Sequence, residues 1–103
     1  ILCVCDRGNV RSVTMARILK ARGHDALACG LKKNSSRTIG MLLNWADLVI
    51  VSEDKQLKEI KTSNYFMFFI QTKNLKLGPD VWGQAMHPEL VRKIKRKLKL
   101  INL

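Results

Sequence analysis

The chain alternates short apolar runs with longer stretches in which apolar residues recur at helical spacing. A short apolar run bounded by polar loops is typical of a buried strand. Strands that alternate with helices favour a parallel sheet covered by helices on both faces. The pattern predicts strands over residues 1–5, 26–29, 47–51 and 65–70. It predicts a helix over residues 12–22, a helix capped by Ser35 or Ser36 that runs to residue 45, a helix capped by Ser52 that runs to about residue 61, and a helix from Pro88 onward.

A chain of 103 residues is long enough for one domain and too short for two. We therefore expect a single α/β domain over residues 1–103. The expected architecture is a flavodoxin-like three-layer sandwich with four parallel strands in the order 2-1-3-4. In that order the first strand is central, and its carboxyl end lies at the switch point where such sheets bind ligands. Residues 71–87 are expected to be mostly loop, because Gly78, Pro79 and Gly83 punctuate them.

The segment that follows the first strand combines a cysteine with the parts of an anion site. Cys5 ends the strand, Gly8 and Asn9 form a short loop, and Arg11 and Ser12 open a helix. Such a loop turns its N–H groups inward as an anion-sized nest, and the helix N-terminus adds partial positive charge. The Arg11 fork can bind two phosphate oxygens, and the same field stabilises a thiolate. The expected anion-binding residues of the loop are Arg7, Gly8, Asn9, Val10 and Ser12.

This segment resembles the phosphate-binding loop of the low-molecular-weight protein tyrosine phosphatases. The likeness is closest to a short branch of predicted tyrosine phosphatases, and it covers nearly the whole chain. It rests on Val4-Cys5, Arg7, Gly8-Asn9, Arg11-Ser12, Ala28-Cys29-Gly30, residues 46–51, Pro79-Asp80-Val81-Trp82-Gly83 and Pro88-Glu89-Leu90-Val91.

The resemblance implies hydrolysis of phosphotyrosine or another aryl phosphate monoester through a phosphocysteine. Cys5 would be the nucleophile, Arg11 would hold the equatorial oxygens, and the Ser12 hydroxyl would hydrogen-bond the thiolate. Asp80 would protonate the leaving oxygen and then activate water, and Trp82 would form a wall of the pocket. This chemistry requires no cofactor and no metal. The two histidines, His24 and His87, are isolated and lack the spacing of metal ligands.

One departure from the family pattern lies beside the nucleophile. Asp6 places a carboxylate next to Cys5. We expect this charge to oppose thiolate formation and to repel phosphate. Gly8-Asn9 also lies one position later in the loop than in the usual family loop.

Three other classes of protein stay open. An arsenate reductase shares this loop but needs further cysteines, and only Cys3 and Cys29 are present. A sugar phosphotransferase B component carries phosphate on a cysteine after its first strand, but it needs neither Arg11 nor Asp80. A non-catalytic module that binds phosphate or nucleic acid is the third alternative.

The net charge of +11 favours anionic partners. Much of it lies in residues 92–99, where apolar residues at helical spacing form one face of a helix. The favoured interpretation is a terminal helix docked on the sheet with its charges solvated. Nucleic-acid binding is less favoured, because aromatic residues are not interleaved with these charges. The expected partners are a phosphorylated protein or a small aryl phosphate, with inorganic phosphate or sulfate binding in the loop.

Cysteine usage and hydropathy bear on the compartment. The three cysteines lie in or beside predicted strands, which argues against a disulfide framework and favours a reducing cytoplasm. The longest apolar stretch, residues 65–70, is far too short to span a bilayer, so no membrane partner is expected. Because Ile1 already belongs to the first predicted strand, we expect one or more residues to precede it.

Overall fold

The computed structural model describes residues 1–62 and 70–103, and it contains four strands and four helices in strict alternation. The strands are β1 (Leu2–Cys5), β2 (Leu27–Gly30), β3 (Leu48–Val51) and β4 (Gln71–Asn74). The helices are α1 (Arg11–Ala21), α2 (Ser36–Trp45), α3 (Asp54–Thr62) and α4 (Pro88–Leu100).

The four strands form one parallel sheet in the order β2-β1-β3-β4. This confirms the predicted α/β class, strand order and flavodoxin-like arrangement. Val4 pairs with Cys29 on one side and with Val51 on the other. β1 is therefore central, and Cys5 lies at the carboxyl edge of the sheet.

Side chains alternate between the two faces of the sheet, as strand geometry requires. Cys3 and Ile50 pack with the buried residues of α1 and α4, among them Leu19 and Ile94. The neighbouring positions of the same strands pack with α2 and α3 on the opposite face; they include Leu2, Val4, Val49 and Val51. Two separate apolar clusters therefore cover the sheet, which confirms helices on both faces.

The fourth strand is the clearest correction to the sequence prediction. Of the predicted strand, residues 65–69 lie outside the described residues, and Ile70 precedes β4 rather than belonging to it. The stretch from residue 71, predicted as loop, begins with the strand Gln71–Asn74. An edge strand of this kind is stabilised by its backbone pairing with β3 and tolerates exposed polar side chains, so apolar periodicity does not detect it.

The helix starts largely follow local capping chemistry. Ser35 Oγ accepts a hydrogen bond from Thr38 N–H at the start of α2, and His87 Nδ1 accepts one from Glu89 N–H before Pro88 opens α4. Ser52 behaves differently from the predicted cap. Its hydroxyl donates to Gln56 Oε1 at 2.8 Å and lies 3.1 Å from Val4 O, and its N–H donates to the same carbonyl of β1.

No helix within residues 1–62 and 70–103 is both long enough and apolar enough to cross a lipid bilayer.

Candidate active site

The loop over residues 6–10 joins β1 to α1 and curls around the Cys5 sulfur. Cys5 is 2% exposed, and the Gly8 N–H donates to its Sγ at 3.1 Å. Ser12, in the first turn of α1, lies on the other side, with its Oγ 3.1 Å from the same sulfur. The cysteine, the loop and the helix start therefore converge as the sequence pattern predicts. This geometry supplies an N–H and a hydroxyl to stabilise a thiolate.

Two glycines allow the loop to lie against the end of β2. Gly8 has a φ of +71°, and a Cβ at this position would lie 2.6 Å from Gly30 N. A Cβ on Gly30 would lie 2.2 Å from the carbonyl carbon of Arg7. Neither distance is possible for a real side chain, so the close approach of the two backbones requires glycine at both positions. Leu31 N–H donates to Cys5 O at 3.0 Å and fixes the contact.

Arg11 is the first residue of α1, and its side chain is only 3% exposed. Its Nη1 donates to Glu53 Oε2 and to Gly78 O, both at 2.7 Å. Its Nε is buried and has no hydrogen-bond partner among the described residues. One nitrogen of the guanidinium is thus occupied by the protein. This anchors the plane of a group that can bind an oxyanion bidentately.

Glu53, which immediately precedes α3, compensates the charge of Arg11. Burial acts to raise the pKa of Glu53, but the hydrogen bond and the charge of Arg11 outweigh it. The pKa of Glu53 therefore lies below its ordinary value of 4.5. Glu53 is ionised at neutral pH and holds Arg11 by a charge-assisted hydrogen bond.

Gln56 joins the end of β3 to the loop after β1 and is fully buried. Its Oε1 accepts from Glu53 N–H at 2.7 Å and from both the N–H and the hydroxyl of Ser52. Its Nε2 donates to Asp6 Oδ1 at 2.9 Å and to Glu53 Oε2 at 3.2 Å. Because both ends of this amide are satisfied, the network stabilises the position of Glu53 relative to the loop.

The carboxylate of Asp6 is neutralised by its neighbours. Lys55 Nζ lies 2.7 Å and Lys32 Nζ 3.7 Å from Asp6 Oδ2. Burial acts to raise the pKa of Asp6. The hydrogen bonds from Gln56 and Lys55 act in the opposite direction and outweigh burial, so the pKa of Asp6 lies below its ordinary value of 3.8. Two lysines therefore balance the charge that the sequence predicts to repel phosphate.

The loop after β4 reaches Arg11 through Gly78, two residues before Asp80. Asp80 is exposed, and its Oδ1 accepts from Trp82 N–H at 3.3 Å, a local turn. The centroids of the Trp82 and His87 rings are 5.8 Å apart. Lys93 Nζ lies 5.8 Å from the centroid of the Trp82 ring. Within the described part of the chain, no hydrogen bond joins Asp80 or Trp82 to Cys5, Arg11 or Ser12. The roles of both residues stay predictions.

Comparison with protein-family models, curated proteins and solved structures finds no match for this chain.

The other two cysteines are buried in the sheet. Burial raises the pKa of both the Cys3 and the Cys29 thiol to about 12. Both are protonated and unreactive at neutral pH. In the described parts of the chain, no three His, Cys, Asp or Glu side chains are grouped to hold a metal ion.

Several residues of this arrangement were not predicted from the sequence as parts of the site; besides the two lysines beside Asp6, they are Gly30, Glu53, Gln56 and Gly78. Gly30 had a weak signal, since it directly follows the second predicted strand and belongs to the Ala28-Cys29-Gly30 segment of the resemblance. Glu53 and Gln56 read as ordinary polar residues at the start of a helix. Gly78 contributes a backbone carbonyl, which no sequence pattern identifies.

Proposed function

We propose that this protein is a phosphatase that hydrolyses phosphotyrosine or related aryl phosphate monoesters through a phosphocysteine on Cys5. The observation that carries the proposal is the convergence of Gly8 N–H and Ser12 Oγ on the Cys5 sulfur, beside the anchored guanidinium of Arg11. The resemblance of the loop to the low-molecular-weight tyrosine phosphatases supports the same chemistry.

In the first step the Cys5 thiolate attacks phosphorus in line with the aryl oxygen. The S–P bond forms, the P–O bond breaks, and Asp80 gives its proton to the departing phenolate. The Arg11 guanidinium and the N–H groups of Arg7, Gly8, Asn9, Val10 and Ser12 bind the three equatorial oxygens. Donors that a loop and a helix start hold before the reaction stabilise the charge of the transition state without reorganisation.

In the second step water attacks the phosphocysteine. Asp80, now ionised, takes a proton from the water as the S–P bond breaks, and inorganic phosphate leaves. The Ser12 hydroxyl and the Gly8 N–H stabilise the returning thiolate. Trp82 stacks on the aryl group of the substrate. The cycle needs no cofactor, and it needs a free thiol, which fits a reducing cytoplasm.

Burial of the other cysteines favours hydrolysis over arsenate reduction. A reductase would need a second accessible thiolate to resolve the arseno-cysteine. Cys3 and Cys29 are buried, and their pKa values are about 12. Neither thiol is suited to that role.

Hydrolysis of p-nitrophenyl phosphate, with and without vanadate, tests the proposal. We expect vanadate-sensitive turnover that Cys5→Ser abolishes, because serine is a poor nucleophile without a base. Cys29→Ser makes the same chemical change in the neighbouring strand and should keep the activity. Mass spectrometry of acid-quenched enzyme should detect a phosphoryl group on Cys5. Turnover that survives Cys5→Ser would refute the phosphocysteine mechanism. Phosphate binding without turnover would refute the proposed phosphatase activity.

A further inference from the structure

α4 carries an unusual excess of positive charge. Its sequence has six lysines and arginines and one acidic residue, Glu89. Glu89 lies 3.9 Å from Arg92, and Lys93 donates to Leu77 O. No ion pair among the described residues involves the remaining four cations of the helix, which are Lys95, Arg96, Lys97 and Lys99. Most of the positive charge of the helix is therefore uncompensated.

The arrangement of these cations opposes helix stability. Like charges four residues apart lie next to each other on a helix and repel. α4 contains three such pairs: Arg92–Arg96, Lys93–Lys97 and Lys95–Lys99. The helix nevertheless remains docked because Leu90, Ile94 and Leu98 are fully buried. Core packing thus sustains a charge pattern that an anionic partner would relieve.

The tertiary structure adds a further cation from another element. Arg22 follows the carboxyl end of α1, and its side chain lies with α4 on a groove of about 700 Å³. The residues lining the groove are Arg22, Lys95, Arg96, Lys99, Asn102 and Leu103, and none of these described residues is acidic. The groove lies at the opposite end of α1 from Arg11, about 16 Å along the helix axis.

We propose that this basic groove binds the phosphate backbone of a nucleic-acid duplex without reading its sequence. Three of its four cations are exposed residues of one helix, and the fourth, Arg22, follows α1, so the charge is spread along a surface. Counterion release makes such a surface bind polyphosphate backbones. The groove lacks aromatic side chains, which single strands need as stacking platforms.

Two other anionic partners fit the surface less well. An amphipathic helix binds lipid through its apolar face, and the apolar face of α4 is buried in the core. A protein partner would need a desolvated apolar centre for affinity. The lining offers four cations, Asn102 and one leucine, Leu103, so a partner that binds through phosphates alone is favoured.

Fluorescence anisotropy with a labelled DNA duplex of about 20 base pairs tests the proposal, between about 50 mM and about 200 mM salt. The groove variant combines Arg22→Gln, Lys95→Gln, Arg96→Gln and Lys99→Gln. The control variant combines Lys33→Gln, Arg37→Gln, Lys58→Gln and Lys61→Gln, which removes the same charge from exposed residues elsewhere. The double variant Lys95→Gln/Lys99→Gln leaves the hydrogen bond of Arg22 to Leu103 O intact.

We expect the groove variant to lose at least about tenfold in affinity and to lower the slope of log K against log salt by about 3 to 4. The control variant should stay within about threefold of the wild type, and the double variant should lie between. Equal losses in the groove and control variants would show that net charge alone binds the duplex and would overturn the proposal. So would tighter binding to phosphatidylserine vesicles or to polyglutamate than to the duplex.

The proposed active site would also bind phosphate, and one further variant separates the two surfaces. Arg11→Lys should leave duplex binding unchanged, since Arg11 is 3% exposed and lies at the other end of α1. Loss of duplex binding in Arg11→Lys with retention in the groove variant would place the duplex at the active site and overturn the proposal.

Discussion

Arg11 and Glu53 lie 42 residues apart in the sequence and form a 2.7 Å ion pair between the start of α1 and the residue that precedes α3. The same nitrogen of Arg11 donates to Gly78 O in the loop after β4. The guanidinium is carried by the helix that follows β1, and it contacts the segments that follow β3 and β4. These contacts explain how a buried arginine is held in a fixed orientation.

Replacement of Glu53 should damage both stability and catalysis. Glu53→Ala leaves the buried Arg11 without its counter-charge, and we expect a loss of about 2 kcal/mol in the free energy of unfolding. Aryl phosphatase activity should fall by about tenfold or more because Arg11 loses its fixed orientation. Urea denaturation and steady-state kinetics measure the two effects. Glu59→Ala, an exposed change in α3, should stay within about 0.5 kcal/mol of the wild type.

Stability should fall at acidic pH because of Asp6 and Glu53. Their pKa values in the folded protein lie below the ordinary values of 3.8 and 4.5. The unfolded chain therefore binds more protons than the folded protein as the pH falls below about 4.5. Their contribution is complete above that pH and is lost as the pH falls through the folded-state pKa values. Urea titrations between neutral pH and about pH 3 should show this acid limb, and it should flatten in Asp6→Asn/Glu53→Gln. An unchanged acid limb in the double variant would contradict the assignment.

A comparison of two glycines separates backbone strain from loop packing. Gly8 and Gly23 both have positive φ values, +71° and +93°, but only the Cβ of an alanine at residue 8 would collide with Gly30. Gly23→Ala should cost about 1 kcal/mol and leave the activity intact. Gly8→Ala should cost at least about 2 kcal/mol and strongly weaken vanadate inhibition, because the loop must move away from β2. Similar effects of the two variants would show that the contact with Gly30 does not shape the loop.

The leaving group should reveal the role of Asp80. Asp80→Asn keeps an oxygen that can accept the hydrogen bond from Trp82 N–H but cannot donate a catalytic proton in the same way. We expect kcat on phosphotyrosine to fall about 100-fold to about 10,000-fold. The loss should be much smaller on p-nitrophenyl phosphate, since nitrophenolate leaves with little need of a proton. Equal losses on both substrates would make Asp80 a structural residue, and Asp6 would be the next acid to test.

Short-range patterns carried most of the fold prediction. Apolar runs and helical spacing located three strands and the helices to within a few residues, because each signal depends on neighbours in the sequence. The sequence pattern did not predict β4, because its side chains are polar and its stability comes from backbone pairing with β3. The capping role predicted for Ser52 is wrong for a related reason. The Ser52 N–H donates to Val4 O of β1 and the hydroxyl lies beside the same oxygen, so residue 52 is bonded to the sheet before the helix begins.

The sequence by itself determined the local unit of strand, loop and helix. In this unit Cys5 and Ser12 are seven residues apart, and the Ser12 hydroxyl contacts the Cys5 sulfur. This contact requires only a strand end, a tight turn and a helix start. The tertiary structure decided which distant groups surround the unit. Gly30 allows the loop to lie against β2, and Glu53 and Gly78 orient Arg11. Gln56 forms hydrogen bonds that connect the segment after β3 to the loop after β1. It also brought Arg22 to the cations of α4. Such contacts arise because parallel strands place their carboxyl ends at one edge of a sheet and helices pack side by side, whatever their separation along the chain.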